Sequence, residues 1–561
     1  MKNRINLNKE KIFYLVCFCF CALMLFYKLY NVMFAVHDDM RIYTLVKNGR
    51  LIDDAIGSAK CTGRISHIWN HLLLGLPFAA DKVWFYKLFQ YGTILFNIGG
   101  LHLLLSKHFS KRLAALSSVL SIAFLSISHW HSLVIAYALC HQLPIGLLLL
   151  SLHFYLNYME KRRKRDMVYC CLLYLPACMI YEAFTLALII YGFTAMYLNK
   201  GKYKKWFDYF KRCFFDVLFP FLTALLYVIV YFSWKKAHPV ASVYDGTDFY
   251  ITEPFLSIRA SIKYSTGVFP FTIFENIIRS TPIGIKGFIT TVGVFGFIKG
   301  IIVALATAML IKKNNLNKNS LLLLIISVSG TIVPTILIGF TAKYLKWNNE
   351  RNINGYVPSF YSYFFLIALI CVIAVCIYNL IRDKRIKQIF IICAAFLTFA
   401  ASITADFNNG IMKPHYERQF LKCKVFDMTV SDELSKLTEA TDFYIPDNIG
   451  INTSEVYTED YIKIYVKTPV NVIMDKQIPD FENPTVCLRY NETFETGVYG
   501  IIDSKYHTDS LKVITPSLNP SAKIVVATSD GGTASFENVK NGDILNAPGG
   551  LHFDMSRNPM R

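Results

Sequence analysis

The chain has 561 residues, of which 54% are hydrophobic and only 17% are charged, and its mean hydropathy is +0.37. Soluble domains are about 45–50% apolar and about 25% charged, so this composition excludes an entirely soluble protein. An aromatic content of 15% excludes a disordered chain. The sequence therefore predicts a polytopic membrane protein with a soluble appendage.

The net charge of +19 combines two regions of opposite sign. Residues 406–561 contain 15 Lys and Arg against 22 Asp and Glu, whereas residues 1–405 contain 43 against 17. The basic residues lie in short runs between apolar segments, where the positive-inside rule accounts for them. We therefore expect a lipid bilayer and no nucleic acid as a partner.

Eleven segments are long and apolar enough to suggest membrane-spanning helices. They lie near 12–36, 83–106, 113–128, 140–158, 167–180, 183–198, 213–233, 287–311, 319–340, 359–381 and 388–405. The first has no small-residue cleavage site after it, so we interpret it as an uncleaved anchor. In the interval 167–198, Pro176 and the pair Tyr181-Glu182 mark a bend between two short spans.

Basic loops fix the predicted orientation. The run "KRRKR" at 161–165 and the other basic loops fall on the side of the amino terminus, which is therefore predicted to be cytoplasmic. An odd number of spans places the carboxyl end outside. The prediction is a membrane domain over 1–405, with outer loops at 37–82 and 234–286, and an outer domain over 406–561.

The outer domain is predicted to be β-rich. Its segments "YIKIYVKTPVNVIM" and "AKIVVAT" are rich in β-branched and aromatic residues, and turn signals such as "SDGG" separate them. Cys423 and Cys487 could pair in an oxidising compartment, although connectivity cannot be deduced from sequence.

An acidic pair follows the first span in the sequence "HDDMRIY" at 37–43. Asp38 and Asp39 would stand after a helix carboxyl end, where negative charge is unfavourable. They are either a solvated loop start or a general base at the membrane surface. His37 and Arg41 are close enough in sequence to influence the pKa of that base.

The acidic pair, the apolar anchor before it, Gly63-Arg64 after it and the many further spans resemble the GT-C superfamily of integral-membrane glycosyltransferases. More narrowly, residues 10–405 resemble the glucosyltransferase II-type (Gtr-like) branch. The resemblance implies a bacterial inner-membrane enzyme that transfers a sugar from a polyprenyl-phosphate carrier, with inversion, to a glycan or glycolipid acceptor outside. It also implies that Asp38 or Asp39 takes the proton of the acceptor hydroxyl.

The resemblance implies no soluble cofactor, and a divalent metal remains possible. Many members have a second acidic residue in a later outer loop, and Glu182 and Asp245 both qualify. Glu182, in "MIYEAF", is a carboxylate near the bilayer, which favours a functional role such as binding a sugar hydroxyl or orienting a basic partner. The alternative is that Glu182 has no functional role and lies at the membrane interface in contact with water.

A leaving lipid phosphate needs cationic donors. The candidates are Arg64, Lys343, Lys346 and Arg351, with Arg351 preferred because a guanidinium binds phosphate bidentately. Lys299, inside the eighth apolar segment beside Gly296 and Gly300, either binds a lipid phosphate or marks a later start of that span.

Tyr244 and Asp245, in "VYDGTDFY", have the aromatic and acidic mix that suits a sugar ring, although interfacial tyrosines are common in aromatic belts. His129, His131 and His141 are interpreted as ordinary polar residues and no zinc site is predicted. The rival functions are a lipid-linked glycan transporter or flippase, and a polysaccharide polymerase or ligase. The sequence lacks the Walker, GxSxG and HExxH motifs of other enzyme classes.

Overall fold

The structure is a computed structural model that describes most of the chain. The described residues are 2–33, 36–80, 82–128, 131–239, 253–280, 282–312, 319–350, 355–432, 441–444, 470–473, 485–491, 496–502, 507–514 and 522–552. They form two compact units, which are described separately. The first unit comprises Met1–Tyr30 and Ile52–Lys413, and the second comprises Asn31–Leu51 and Pro414–Arg561.

The first unit is helical. Its helices are α1 (Lys2–Leu29), α3 (Leu51–Thr62), α4 (Ser66–Gly75), α5 (Val83–His108), α6 (Lys111–Ala123), α7 (Leu143–Lys161), α8 (Lys164–Ile180), α9 (Leu188–Asn199), α10 (Trp206–Ala237), α11 (Pro254–Ser265), α12 (Pro270–Ser280), α13 (Ile285–Lys312), α14 (Ser320–Gly339), α15 (Ala342–Glu350), α16 (Val357–Leu380) and most of α17 (Lys384–Asp432). Short 3₁₀ turns at Leu76–Phe78 and Glu182–Ala187 complete it.

Eight helical segments of the described chain are long and apolar enough to cross a membrane. They are Glu10–Leu29, Val83–His108, Glu182–Asn199, Trp206–Ala237, Ile285–Lys312, Ser320–Gly339, Val357–Leu380 and Lys384–Pro414. The predicted spans 113–128, 140–158 and 167–180 fall on α6, α7 and α8, which are helical but shorter or less apolar. The prediction of an α-helical polytopic membrane protein is confirmed.

Glycines allow the helices to approach closely. A Cβ at Gly330 of α14 would overlap the ring of Phe365 on α16, and one at Gly300 of α13 would lie 2.8 Å from Phe399 on α17. Association inside a bilayer depends on such close packing because lipid supplies no hydrophobic driving force. The predicted packing role of Gly300 is confirmed.

The described residues between α6 and α7, at 124–128 and 131–142, are irregular, with turns and bends, and we call them the buried loop. Its described residues are mostly buried, and irregular backbone at membrane depth requires protein partners for its polar groups. Asn409 of α17 accepts a hydrogen bond from the Ile127 amide at 2.8 Å and donates one to the Leu125 carbonyl at 3.1 Å. Gln90 of α5 donates to the Val134 carbonyl at 2.9 Å. The predicted spans 113–128 and 140–158 were therefore too long at these ends.

Within its described residues, the second unit contains α2 (His37–Lys47), the end of α17 and ten strands. The strands are β1 (Thr441–Tyr444), β2 (Val470–Ile473), β3 (Thr485–Asn491), β4 (Thr496–Ile502), β5 (His507–Thr508), β6 (Leu511–Ile514), β7 (Ala522–Thr528), β8 (Thr533–Val539), β9 (Ile544–Leu545) and β10 (Leu551–His552). One sheet has the order β2-β1-β3-β4-β6-β9 and the other β5-β10-β7-β8.

The two sheets share one hydrophobic core, which includes Tyr444 and Cys487 from the first sheet and Ile524 and Val526 from the second. Strand β1 runs parallel to β2 and β3, whereas the other pairings are antiparallel. The predicted β-rich character of the carboxyl-terminal region is confirmed. The Cys423 side chain lies outside the described part of α17, so its pairing with Cys487 stays a prediction.

Candidate functional site

One polar site of the first, helical unit, which we call the membrane unit, joins Arg64 to Glu182, 118 residues apart in sequence. Arg64 Nε and Nη2 donate to the two Glu182 carboxylate oxygens at 3.0 and 2.8 Å, and the Ser66 hydroxyl donates to Oε1 at 2.8 Å. Gly63, with φ of +66°, makes the turn between α3 and α4 that presents Arg64. Glu182 opens the 3₁₀ turn that follows the end of α8 at Ile180.

This geometry fixes what each group can do. Glu182 accepts three hydrogen bonds, so its carboxylate is committed to orienting Arg64 and Ser66. Of the two roles predicted for Glu182, the arrangement favours orienting a basic partner over binding a sugar hydroxyl. In the described part of the chain, Arg64 uses only Nε and Nη2, which leaves Nη1 available to an anionic ligand. The Arg64 and Glu182 side chains each keep 21% of their surface exposed.

Charges around the pair act in opposite directions. Burial alone would lower the pKa of Arg64, but the charge and hydrogen bonds of Glu182 raise it above its ordinary value. His67, on α4, has its pKa lowered to about 3 by burial and by the nearby charge of Arg64. The site therefore holds a permanent guanidinium beside a neutral imidazole at physiological pH.

Aromatic and histidine rings extend from this pair in a continuous series that we call the aromatic row. Its members, each with its ring centroid within 6 Å of the next, are Tyr361, Tyr181, His141, Tyr137, His131 and Tyr356. His131 Nδ1 and the Tyr137 hydroxyl share a hydrogen bond of 2.6 Å. Such rings can stack on a sugar and exclude water.

The aromatic row reaches the second predicted cation. Tyr356 hydrogen-bonds through its hydroxyl to Tyr344 on α15 at 3.0 Å. Lys343, the neighbour of Tyr344, places its Nζ 5.0 Å from the Trp347 ring centroid in a cation–π contact. A series of ring contacts thus runs from Tyr181, next to Glu182 in the chain, to Tyr344, next to Lys343.

The buried loop supplies half of this row under backbone strain. His131, Tyr137 and Leu139 have φ of 44°, 54° and 69°, in the left-handed region that residues with a side chain rarely adopt. Such conformations persist only where the surrounding structure imposes them, and they concentrate at functional sites. The strained backbone at His131 could not be predicted from the sequence, because nothing in an apolar stretch signals a strained loop.

Two buried tyrosine hydroxyls in the electrostatic neighbourhood of Glu182 have no hydrogen-bond partner among the described residues. They belong to Tyr361, which contacts Tyr181 and Phe184, and to Tyr227 of α10. Buried polar groups normally find a partner, so unpaired hydroxyls indicate a place for water or a ligand.

The acidic pair belongs to the second unit. Asp38 and Asp39 lie in the first turn of α2, which begins at His37; Asp38 is half-buried and Asp39 is 1% exposed. The helix dipole stabilises negative charge at an amino-terminal turn. Our expectation that the pair stands at an unfavourable helix carboxyl end was therefore wrong, because α1 ends at Leu29 and a new helix starts before the pair. Arg41 follows in the same helix.

Other predicted positions have separate outcomes. Tyr244, Asp245, Arg351 and the His37 side chain lie outside the described residues. Lys299 forms an ion pair with Asp406 at 2.8 Å, so the structure assigns it to a protein carboxylate. No group of three or more His, Cys, Asp or Glu side chains in the described ranges could hold a metal ion.

The fold and the site define an α-helical polytopic membrane protein with a carboxyl-terminal strand-containing unit. No family model matches the sequence, and no curated protein matches it. Among solved structures, the chain is similar to ArnT from Cupriavidus metallidurans bound to undecaprenyl phosphate, with 12% identity and a TM-score of 0.39. That similarity covers 86% of this chain and 94% of the other.

Proposed function

We propose that the protein is a membrane glycosyltransferase that moves a sugar from a polyprenyl-phosphate donor to a glycan or glycolipid acceptor on the outer face of the membrane. The observation that carries the proposal is Arg64, which is held bidentately by Glu182 and retains one guanidinium nitrogen beside the aromatic row. A fixed guanidinium suits a phosphate oxygen, and the neighbouring rings suit a sugar. The resemblance of residues 10–405 to GT-C enzymes supports the same class.

The reaction needs a base and a stabilised leaving group. In the proposed step, the acceptor oxygen attacks the anomeric carbon while Asp38 or Asp39 takes the hydroxyl proton. The bond from that carbon to the phosphate oxygen breaks on the opposite face, which inverts the configuration. The polyprenyl phosphate leaves with the bonding electrons, and the positive charges of Arg64 and Lys343 stabilise it.

The remaining assignments follow from this chemistry. Glu182 orients Arg64, and Arg41, Tyr244, Asp245 and Arg351 are proposed to contribute to donor or acceptor binding. The proposed location is the bacterial cytoplasmic membrane, with the amino terminus inside. The chemistry requires no soluble cofactor, and titration with EDTA would show whether a divalent metal contributes.

The first experiment is mass spectrometry of the lipids that co-purify with the wild type and with Asp38→Asn and Asp39→Asn. A stalled transferase retains its donor, so we expect a polyprenyl-phosphate monosaccharide to be enriched in one of these variants. Asp53→Asn is the matched control, because Asp53 also belongs to an acidic pair in the first turn of a helix, α3, and is exposed.

Two outcomes would overturn the proposal. A long lipid-linked oligosaccharide in all preparations would favour a polymerase or a transporter. Equal lipid content in the wild type, both variants and the control would remove the role of the acidic pair.

A further inference from the structure

A cavity of about 940 Å³ lies at the opposite end of α1 from Lys28, between α1, α5 and α6. Its rim carries four cations and one carboxylate, namely Lys11, Lys107, Lys111, Arg112 and Glu10. The sequence predicts this end of the bundle to be cytoplasmic. Neither the acidic pair nor Arg64 and Glu182 line the cavity, so the proposed transfer reaction does not account for it.

The charges on the rim are unequally satisfied. Arg112 Nε and Glu10 form an ion pair at 3.0 Å, and the Tyr14 hydroxyl donates to the same carboxylate at 3.3 Å. Lys11, Lys107 and Lys111 form no ion pair within the described residues. After Glu10 is matched with Arg112, the rim therefore keeps three positive charges for an anion.

The inner part of the cavity is mostly apolar, with His102 of α5 and Ser118 of α6, 3.0 Å apart in a hydrogen bond, as its polar members. It is lined by Leu15, Phe18, Leu95, Ile98, Ala115 and Val119. Leu15 is 62% exposed and Leu95 is 39% exposed, so part of this apolar lining is open at the surface of the bundle. A basic rim above an apolar crevice matches an amphiphile with an anionic head and a hydrocarbon chain.

The start of α6 adds to the positive electrostatic potential at the rim of the cavity. The helix begins at Lys111, directly at the rim, and its amino-terminal end carries partial positive charge and amide groups that favour phosphate. Juxtamembrane lysines and arginines also attract anionic lipids when they cluster near the membrane surface.

We propose that this cavity binds an anionic glycerophospholipid of the adjacent leaflet, with its phosphate between Lys11, Lys107 and Lys111 and an acyl chain along α1 and α5. The site is distinct from the proposed donor site in its position and in its ligand. It makes bilayer composition a determinant of the stability of this end of the bundle.

The test is a native mass spectrometry titration of the full-length protein in detergent with phosphatidylglycerol, and with phosphatidylcholine as the neutral counterpart. We expect saturable binding of phosphatidylglycerol and weaker binding of phosphatidylcholine. In Lys107→Gln/Lys111→Gln, the affinity for phosphatidylglycerol should fall roughly 30-fold, since each lysine contributes a comparable share. Lys204→Gln/Lys205→Gln is the matched control, since it removes two exposed lysines outside the cavity and should leave binding unchanged.

A second variant tests the crevice without changing charge. Gly99 of α5 lines the cavity, and a Cβ there would meet no atom within 4 Å, so Gly99→Leu fills the space without backbone strain. We expect it to weaken phosphatidylglycerol binding while preserving the unfolding temperature of the lipid-free protein.

Three results would overturn the inference. Equal loss in the two lysine pairs would show non-specific attraction to a basic surface. Unchanged binding in Gly99→Leu would show that no acyl chain enters the crevice. Displacement of phosphatidylglycerol by excess inorganic phosphate would identify a site for a free anion.

Discussion

Two ionic clusters of the membrane unit differ in whether they leave a charged group available to a ligand. In the first, Arg64 and Glu182 neutralise each other, each remains 21% exposed, and one guanidinium nitrogen is available. In the second, Asp406 of α17 pairs with Lys28 of α1 at 2.7 Å and with Lys299 of α13 at 2.8 Å. The Lys299 and Asp406 side chains are only 5% and 3% exposed. The comparison separates a cluster that can receive a ligand from one that joins three helices.

The largest expected effect follows from breaking the second cluster. Asp406→Asn leaves two lysines without their carboxylate, one of them buried, so the free energy of unfolding should fall by about 3–5 kcal/mol. Thermal unfolding in detergent measures this loss. Asp208→Asn, at an exposed position in the first turn of α10, is the control.

A compensating variant sharpens the interpretation of the second cluster. Lys299→Met/Asp406→Leu removes the Lys299 charge together with the carboxylate and should regain much of the stability, because apolar residues often replace a buried ion pair well. A double variant as unstable as Asp406→Asn would contradict a purely structural role.

The next effect concerns the first cluster. Glu182→Gln removes the carboxylate that orients Arg64 and should cost about 2 kcal/mol, less than at Asp406 because the side chains keep some contact with water. Loss of polyprenyl lipid from the purified protein should accompany it. In Arg64→Gln/Glu182→Gln, stability should return while lipid retention stays low. Recovery of both would mean that the pair only holds α4 against the end of α8.

A smaller effect should depend on pH. The pKa of His67 is lowered to about 3 in the folded protein, so between the ordinary histidine pKa and that value the unfolded chain binds a proton that the folded chain does not. Stability should therefore decrease as the pH falls below about 6.5, by about 1–2 kcal/mol between pH 7 and pH 5. His67→Gln should flatten this dependence in thermal unfolding curves. Parallel curves for wild type and His67→Gln would refute the assignment.

The smallest effect is expected from Tyr137→Phe. The variant removes the hydroxyl that bonds His131 and should lower the free energy of unfolding by about 1 kcal/mol. Tyr158→Phe serves as the comparison, because Tyr158 lies on α7, the helix that follows the buried loop, and is not a member of the aromatic row. An identical decrease in the free energy of unfolding of both variants would show that the hydrogen bond within the aromatic row makes no specific contribution to stability.

Much of the fold could be predicted from local composition. Hydropathy located all eight helical segments of the described chain that are long and apolar enough to cross a membrane, and β-branched segments located β2 and β7. Arg64 and Glu182 could each be proposed from their chemistry. Their pairing could not, because nothing in the sequence links positions 118 residues apart.

The buried loop shows the other limit of sequence reasoning. Its apolar residues resemble a helix in hydropathy, and side chains distant in sequence, among them the amides of Gln90 and Asn409, satisfy its irregular backbone. The acidic pair illustrates the same limit. Because α2 starts at His37, the pair lies at the positive end of a helix dipole and not at the negative end that the sequence predicted.

Asn409 also imposes an order on biogenesis. It satisfies the backbone of Ile127, yet it is synthesised 282 residues later. A ribosome adds residues from the amino terminus, so α6 and α7 enter the membrane before the side chain that completes their connection exists. Until α17 arrives, the segment around Ile127 must keep its amide groups hydrated or bonded to temporary partners. The final conformation of the buried loop, and the positions of His131 and Tyr137 with it, is therefore reached only after the last span has been inserted.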